Sequence, residues 1–104
     1  GLQELDLSYS LFDNINAIVW LSAGLRRVRH PLRVLRLRRC GLGPKMLAFL
    51  LVKGLAKNPS VTNNLQVLDL SENEFGPVGG EALRVLLAEM GHRRGGGPPS
   101  LYLA

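Results

Sequence analysis

Leucine residues recur along this chain in one short pattern. A segment that begins at Leu2 has leucines at its first, fourth and sixth positions, and the segments that begin at Leu32 and Leu65 repeat that order. A fourth segment, which begins at Pro98, again has leucines at its fourth and sixth positions. Because successive side chains of a strand point to opposite faces, the fourth and sixth leucines predict a short strand with one apolar face.

Between these segments, apolar residues recur at intervals near 3.6 residues, which predicts a helix after each strand. The three sets are Ile15, Ile18, Val19 and Leu25, with Ser22 on the same side; Leu47, Leu50, Leu51 and Leu55; and Ala82, Leu83, Leu86, Leu87 and Met90. Pro44 and Pro77 suit helix starts, and Gly91 suits a helix end. Strand and helix alternate three times, so we expect parallel strands on one side of the molecule and helices on the other.

The repeated segments resemble the leucine-rich-repeat consensus L-x-x-L-x-L-x-x-N/C-x-L, with Cys40 and Asn73 at its ninth position. The spacing is 30 residues from Leu2 to Leu32 and 33 residues from Leu32 to Leu65. Both values exceed the usual repeat length of roughly 20–29 residues and indicate the long-repeat subclass, in which a full helix follows each strand. That subclass is similar to ribonuclease inhibitor, the Ran GTPase-activating protein, the sensors of NOD-like receptors, and the actin capping-protein regulator and myosin linker family.

This resemblance implies an α/β leucine-rich-repeat solenoid, shaped as a horseshoe arc of about three repeats. Its parallel strands would line the concave side, its helices would cover the convex side, and the ninth side chains would turn inward to bond loop backbone. We expect one domain over residues 1–104, with repeats at about 2–31, 32–64 and 65–97 and a partial repeat at 98–104. Because the outermost strands lack polar caps, we expect a stretch of a longer array with flanking repeats.

The side chains at the third, fifth, seventh and eighth positions are predicted to face outward on or beside the concave strands. At the fifth position the order is Asp6, Arg36, Asp69 and Tyr102, so Arg36 is expected between two carboxylates on strands roughly 4.8 Å apart. These charges could form a ladder that maintains strand register. They could also form a binding stripe, because arginine and tyrosine are favoured contact residues. The predicted partner-protein surface comprises Glu4, Asp6, Arg36, Arg38, Arg39, Asp69, Glu72 and Tyr102.

The formal charge is +5, and seven arginines lie between residues 26 and 39. This basic cluster, Arg26 to Arg39, supports an alternative function as a nucleic-acid-binding module. Only Tyr9 and Tyr102 are aromatic on or beside the predicted concave strands, which makes a poor base-stacking platform. A GTPase-activating surface is a third alternative, implied by the family resemblance alone.

Two connections complete the expected layout. Residues 57–64 are predicted to link the second helix to the third strand, and residues 91–99, with three consecutive glycines, are predicted to form a flexible exposed loop. The arginines of that loop could also contact a partner. On the first helix, Trp20 is expected to pack toward a neighbour, with an exposed anchor as the alternative.

The remaining motifs predict no enzyme, cofactor or metal site. Gly41 to Lys45 lacks the spacing of a phosphate-binding loop, and Pro44 removes an N–H that such a loop would use. His30, His92 and Cys40 are too widely separated to predict metal ligands. A single cysteine indicates a reducing, cytoplasmic compartment. The apolar run over residues 46–52 is far shorter than the ~20 residues of a membrane span, so no membrane partner is expected.

Overall fold

Four short parallel strands form one sheet in this protein. The computed structural model describes residues 3–91, 93 and 97–104. The strands are β1 (Glu4–Asp6), β2 (Val34–Arg36), β3 (Val67–Asp69) and β4 (Ser100–Tyr102). They pair in chain order, β1-β2-β3-β4, and the register aligns Leu5, Leu35, Leu68 and Leu101 in one row. The predicted parallel sheet is confirmed, together with the role of the fourth-position leucine.

A helical segment follows each of the first three strands. These segments are α1 (Ile15–Arg26); α2 (Pro44–Ala48), which continues through a π-helical turn (Phe49–Gly54) and a 3₁₀ turn (Leu55–Lys57); α3 (Pro59–Thr62); and α4 (Gly76–Met90). The three helices expected from apolar spacing are confirmed, including the starts near Pro44 and Pro77. Within the described part of the chain, no helix combines the length and apolarity that a membrane crossing requires.

The core lies between the sheet and the helices. On the sheet side, Leu35, Leu37, Leu68 and Leu70 have no exposed surface, because the fourth and sixth positions of the second and third repeats point inward, whereas Leu103, at the sixth position of the last segment, is 37% exposed. On the helix side, the buried residues include Ile18, Leu47, Leu50, Leu51, Leu55 and Leu86. Most of these buried residues, on the sheet and on the helices, are leucines. Their close packing fixes the position of each helix against the sheet.

A close approach joins α1 to the π-helical turn. A Cβ added at Gly54 would lie 3.1 Å from the Cβ of Ser22, so glycine keeps the two backbones near each other. Ser22 is buried, and its Oγ has no hydrogen-bond partner among the described residues. The small side chain in the middle of an apolar helix face therefore serves packing rather than hydrogen bonding.

The predicted link over residues 57–64 contains a short helix that the sequence pattern did not predict. Asn58 caps α3 by accepting a hydrogen bond from the Ser60 N–H at 3.0 Å, and Pro59 occupies the first helical position. Four residues are too few for an apolar period to appear, although the cap residue and the proline are a helix-start signal.

In the other predicted connection, residues 92 and 94–96 lie outside the described residues, so the flexible loop over 91–99 stays a prediction there. Arg93 is described, and its guanidinium donates to the carbonyl of Leu65 at 2.6 Å and to the carbonyl of Gly97. Arg93 therefore hydrogen-bonds backbone carbonyls of its own chain, one of which, at Leu65, lies just before β3.

The ninth position of the third repeat organises the turn between neighbouring strands. The Asn73 side-chain oxygen accepts hydrogen bonds from the N–H groups of Cys40 and Leu42, both at 3.1 Å. Its amide nitrogen donates to the carbonyls of Leu37, Leu70 and Ser71. Asn73 thus satisfies backbone groups from two successive turns, which confirms the expected inward orientation.

Replacing Asn73 with alanine should destabilise the fold by about 2–4 kcal/mol, because it leaves several part-buried backbone groups without partners. Urea unfolding followed by circular dichroism measures this change. Asn63→Ala is the matched control, since Asn63 is exposed and its loss should change stability by less than about 0.5 kcal/mol. Equal effects of the two substitutions would contradict the role assigned to Asn73.

Candidate partner-binding surface

Two rows of side chains run across the outer face of the sheet. The third-position row aligns Glu4, Val34, Val67 and Ser100, and the fifth-position row aligns Asp6, Arg36, Asp69 and Tyr102. The alternation predicted from sequence places both rows opposite the buried leucines. We call these two rows, together with the seventh- and eighth-position residues beyond them, the sheet surface.

Arg36 contacts only one of the two carboxylates expected beside it. Its Nη1 lies 3.7 Å from Oδ2 of Asp69. Asp69 is buried, and its Oδ1 accepts hydrogen bonds from both the N–H and the hydroxyl of Ser71. The Asp69 side chain therefore lies beneath the surface, where it holds the turn after β3 and orients Arg36.

Asp6 is engaged by its own turn. Its Oδ1 accepts a hydrogen bond from the N–H of Ser8 at 2.9 Å. This backbone hydrogen bond is the largest cause that lowers the pKa of Asp6; the hydroxyl of Ser8 lowers it further, and Arg36 contributes less. Among the described residues Asp6 forms no ion pair, so the predicted Asp–Arg–Asp ladder is present in register but paired only on the Asp69 side.

The parallel pairing continues past each strand into an unusual turn. Tyr9 N–H donates to the carbonyl of Arg38 at 2.8 Å, and Arg39 N–H donates to the carbonyl of Ser71 at 2.9 Å. Glu72 N–H repeats this bond with Ala104 at 3.3 Å. The φ angles of Tyr9, Arg39 and Glu72 are 66°, 51° and 59°, a left-handed conformation that is uncommon for residues other than glycine. The three eighth-position residues thus occupy equivalent places on successive strands.

An exposed ion pair joins the turn after β2 to the turn after β3, between the seventh position of one repeat and the eighth position of the next. Nε of Arg38 donates to Oε2 of Glu72 at 2.7 Å. This hydrogen bond raises the pKa of Arg38 above its usual value, with the Glu72 charge adding to the effect. Arg39 is exposed and has no ion-pair partner among the described residues. Of the three arginines on the sheet surface, Arg39 is thus the one that is available to a new carboxylate.

A shallow cavity of about 340 Å³ adjoins these charges. It is lined by Arg38, Ser71, Leu101, Tyr102, Leu103 and Ala104. The Tyr102 side chain is 52% exposed, and Tyr9, at the opposite side of the sheet, is 63% exposed. Aromatic surface beside a guanidinium suits recognition of a protein, since both residue types are enriched at interface hot spots.

The structure divides the arginine-rich stretch of the sequence into two places. Arg36 ends β2, Arg38 and Arg39 lie in the turn after it, and the first two of these arginines are ion-paired. Arg26, Arg27 and Arg29 lie at the end of α1 and line a different cavity. The arginines of residues 26–39 therefore do not form the single extended patch that the nucleic-acid alternative requires, because the fold separates them into two groups and two of them are ion-paired.

Ser8 and Ser71, at the seventh position, were absent from the predicted partner-protein surface, and Ser71 is buried, although side chains at that position were expected to face outward. Each follows an aspartate by two positions, and an Asp-x-Ser order favours a turn in which the carboxylate accepts the serine N–H. That signal was present at Asp6 and Asp69. Trp20 lies away from the sheet surface, and its side chain is 81% exposed, so it packs against none of the described residues to any large extent.

Cys40, the one cysteine, is fully buried beneath the turn after β2. Its thiol donates to the carbonyl of Leu7 at 3.1 Å. Burial raises the pKa of the Cys40 thiol above its ordinary value, which suits packing and opposes nucleophilic reactivity. Within the described residues, no group of three or more His, Cys, Asp or Glu side chains could hold a metal ion.

Comparison with known proteins supports the interpretation of the repeats. Residues 61–83 match the family model described as Leucine Rich repeat. This range runs from α3 through β3 into α4 and includes Asn73. The match supports the interpretation of these residues as a leucine-rich repeat, and domains built from such repeats generally mediate protein–protein interactions. No curated protein matches the chain significantly.

The left-handed conformation of Arg39 predicts unequal effects on stability for two substitutions that remove the same charge. Arg39→Asn should change stability little, because asparagine tolerates positive φ, whereas Arg39→Val should destabilise by about 1–2 kcal/mol. Chemical denaturation of both variants measures the difference. Equal stabilities would show that residue 39 leaves the left-handed region in solution.

The burial of Cys40 predicts slow chemical modification. Alkylation by iodoacetamide should be roughly a hundredfold or more slower in the native protein than in denaturing urea at the same pH, because reaction requires an opening of the core. Mass spectrometry of quenched samples gives both rates. Similar native and denatured rates would mean that the thiol is accessible in the folded chain.

Proposed function

We propose that this chain is a protein-binding module of a leucine-rich-repeat solenoid and that its sheet surface, on the concave side, contacts the partner. The observation that carries this proposal is the unbroken alignment of outward-facing side chains across four parallel strands. Repeat proteins use such extended surfaces for recognition. The partner is another protein, and the module binds it without catalysing a reaction.

The finer repeat assignment is part of the same proposal. The register places Glu4 opposite Val34, Val34 opposite Val67, and Val67 opposite Ser100, which gives offsets of 30, 33 and 33 residues. These offsets support repeats at about 2–31, 32–64 and 65–97, with a partial repeat at 98–104. They also support the long-repeat subclass that resembles ribonuclease inhibitor, since a helical segment follows each complete strand.

Arg39 and Tyr102 are the proposed anchors of the interface. Arg39 can form a bidentate pair with a partner carboxylate without first breaking an internal ion pair. Tyr102 offers exposed aromatic surface next to the cavity lined by Leu101 and Leu103. The Arg38–Glu72 pair is exposed on both sides, so a partner can exchange one of its members. The buried carboxylate of Asp69 contributes by orienting Arg36 through their ion pair.

We also place the module inside the cell. The buried, unpaired thiol of Cys40 supports this assignment, because it is stable in a reducing compartment and needs no disulfide partner. The thiol fills space under the turn after β2, where oxidation would add polar oxygen atoms to an apolar site. Fractionation of cells that produce the chain checks this placement, with alkylation of Cys40 after denaturation as the readout of its redox state.

Site-specific photo-crosslinking tests which face binds the partner. A benzophenone amino acid in place of Tyr102 should crosslink the partner, because residue 102 lies on the sheet surface. The same amino acid in place of Glu81, which is exposed on α4, should not. Equal crosslinking from both positions, or crosslinking from position 81 alone, would contradict the proposed face.

Affinity measurements on the crosslinked partner test the anchors. Arg39→Ala and Tyr102→Ala should each weaken binding by about tenfold or more, the usual effect of truncating a hot-spot residue. The control is the double variant Glu81→Ala/Arg84→Ala, which removes an exposed ion pair from the helix side and should leave affinity unchanged. Surface plasmon resonance provides these values. Full affinity in both anchor variants would remove the assignment of Arg39 and Tyr102.

A further inference from the structure

A second charged surface lies away from the sheet surface, where α1 ends. A cavity of about 630 Å³ opens there, lined by Arg26, Arg27, Val28, Arg29, Asn58 and Ser60. The first four of these residues close the first repeat, and the last two belong to the start of α3 in the second. The cavity thus spans the junction between two repeats and shares no lining residue with the cavity beside Tyr102.

Hydrogen bonds from the second repeat hold the backbone that carries these arginines. The buried Asn58 amide donates to the carbonyl of Leu25 at 2.7 Å and to the carbonyl of Val28 at 2.8 Å. The Ser60 hydroxyl donates to the carbonyl of Arg29 at 3.3 Å. These bonds use both amide protons of Asn58, while its oxygen accepts from the Ser60 N–H. Asn58 and Ser60 therefore form part of the cavity wall and hold the backbone that carries the three arginines.

The three arginines concentrate positive charge without internal compensation. Arginine stays protonated at every physiological pH. Within the described residues, the ion pairs of this chain join Arg36 to Asp69, Arg38 to Glu72 and Arg84 to Glu81, and none involves Arg26, Arg27 or Arg29. Three like charges within four residues repel one another. A bound anion with several negative charges relieves this repulsion.

We propose that this cavity binds a small anion that carries two or more phosphate groups. Guanidinium groups form paired hydrogen bonds with phosphate oxygens, and the cavity volume lies within the roughly 300–1,000 Å³ of small-ligand sites. No lining residue is aromatic, so the cavity offers no platform for nucleobase stacking, and a compact polyphosphate fits it better than a nucleic acid strand. This site is independent of partner binding at the sheet surface.

Arg27 and Arg29 are the main ligand groups. Arg26 lies in the last turn of α1, where the partial negative charge of the helix end already attracts a cation. Arg27 and Arg29 follow the helix, and both are exposed. Their side chains can be shortened or neutralised without removing a buried contact, so variants at these two positions should fold normally.

Calorimetric titration of the whole chain with inorganic tripolyphosphate at low ionic strength tests the site. We expect saturable binding with one site per chain. Arg27→Gln/Arg29→Gln should weaken this binding by about tenfold or more, the effect of losing charge-assisted hydrogen bonds. Arg27→Lys/Arg29→Lys should give an intermediate loss, because the charge remains while the paired donor geometry is lost.

The matched control is Lys45→Gln/Lys53→Gln, which removes the same two charges from exposed positions that line another groove, on the helix side. It should leave tripolyphosphate binding nearly unchanged. In ¹H–¹⁵N spectra, the ligand should shift the amide signals of residues 25–29, Asn58 and Ser60. Equal weakening in both glutamine variants, or signal shifts confined to residues 36–39, would overturn the proposal and indicate general charge attraction.

Two further probes identify the source of the phosphate groups. Vesicles that contain phosphatidylinositol bisphosphate and free inositol hexakisphosphate present clustered phosphates as a headgroup and as a soluble ligand. Binding to either one that depends on Arg27 and Arg29 supports the site and names its source. Preferential binding of a single-stranded oligonucleotide over tripolyphosphate, with the same arginine dependence, would overturn the assignment to a small anion.

Discussion

Hydrogen bonds between parallel strands hold Leu35 and Leu68 side by side on the buried face of the sheet, and this pairing sets the position of every outward-facing side chain. Each strand has only three residues, so strand length alone cannot fix the register. Burial of the leucine side chains in the core fixes the register, since a slip of one residue would turn the apolar positions outward. The turn that follows each strand extends the same pairing to Tyr9, Arg39 and Glu72.

This constraint explains why chemically similar positions behave differently. Asp6 and Asp69 both follow the inward-facing leucine of their strand, and both accept the N–H of the serine two residues later. Asp69 has strands on both sides and is buried, while Asp6 lies on the first strand of the sheet and is exposed. Arg36, placed between them by the register, pairs with Asp69. The number of neighbouring strands therefore determines which carboxylate is buried and stabilises the fold and which one remains exposed.

The same geometry divides a single basic stretch into two surfaces with separate proposed roles. The stretch runs from the end of α1 through β2. Some of its arginines therefore lie before the start of β2, and the others lie at or beyond its opposite end. The arginines at the end of β2 and in the turn after it lie beside acidic side chains of β3 and its turn, and two of them, Arg36 and Arg38, are ion-paired. Arg26, Arg27 and Arg29 line a cavity with Asn58 and Ser60, which are neutral and donate to backbone carbonyls. The first group suits a protein partner of mixed charge, and the second suits a compact phosphate anion.

The pattern of leucines by itself determined the parallel sheet, its strand register and the three main helices, because apolar periodicity reports which side of each element is buried. It also indicated the outward positions of Arg36 and Tyr102, while the inward orientation of Asn73 was implied by the family resemblance. Helix α3 was missed because four residues do not show a period, and the pairing of Arg38 with Glu72 was missed because it joins different positions on adjacent repeats. Only the tertiary structure decided which arginines meet a carboxylate and that Asp69 is buried. Those outcomes depend on distances between residues about 33 positions apart, which no local pattern records.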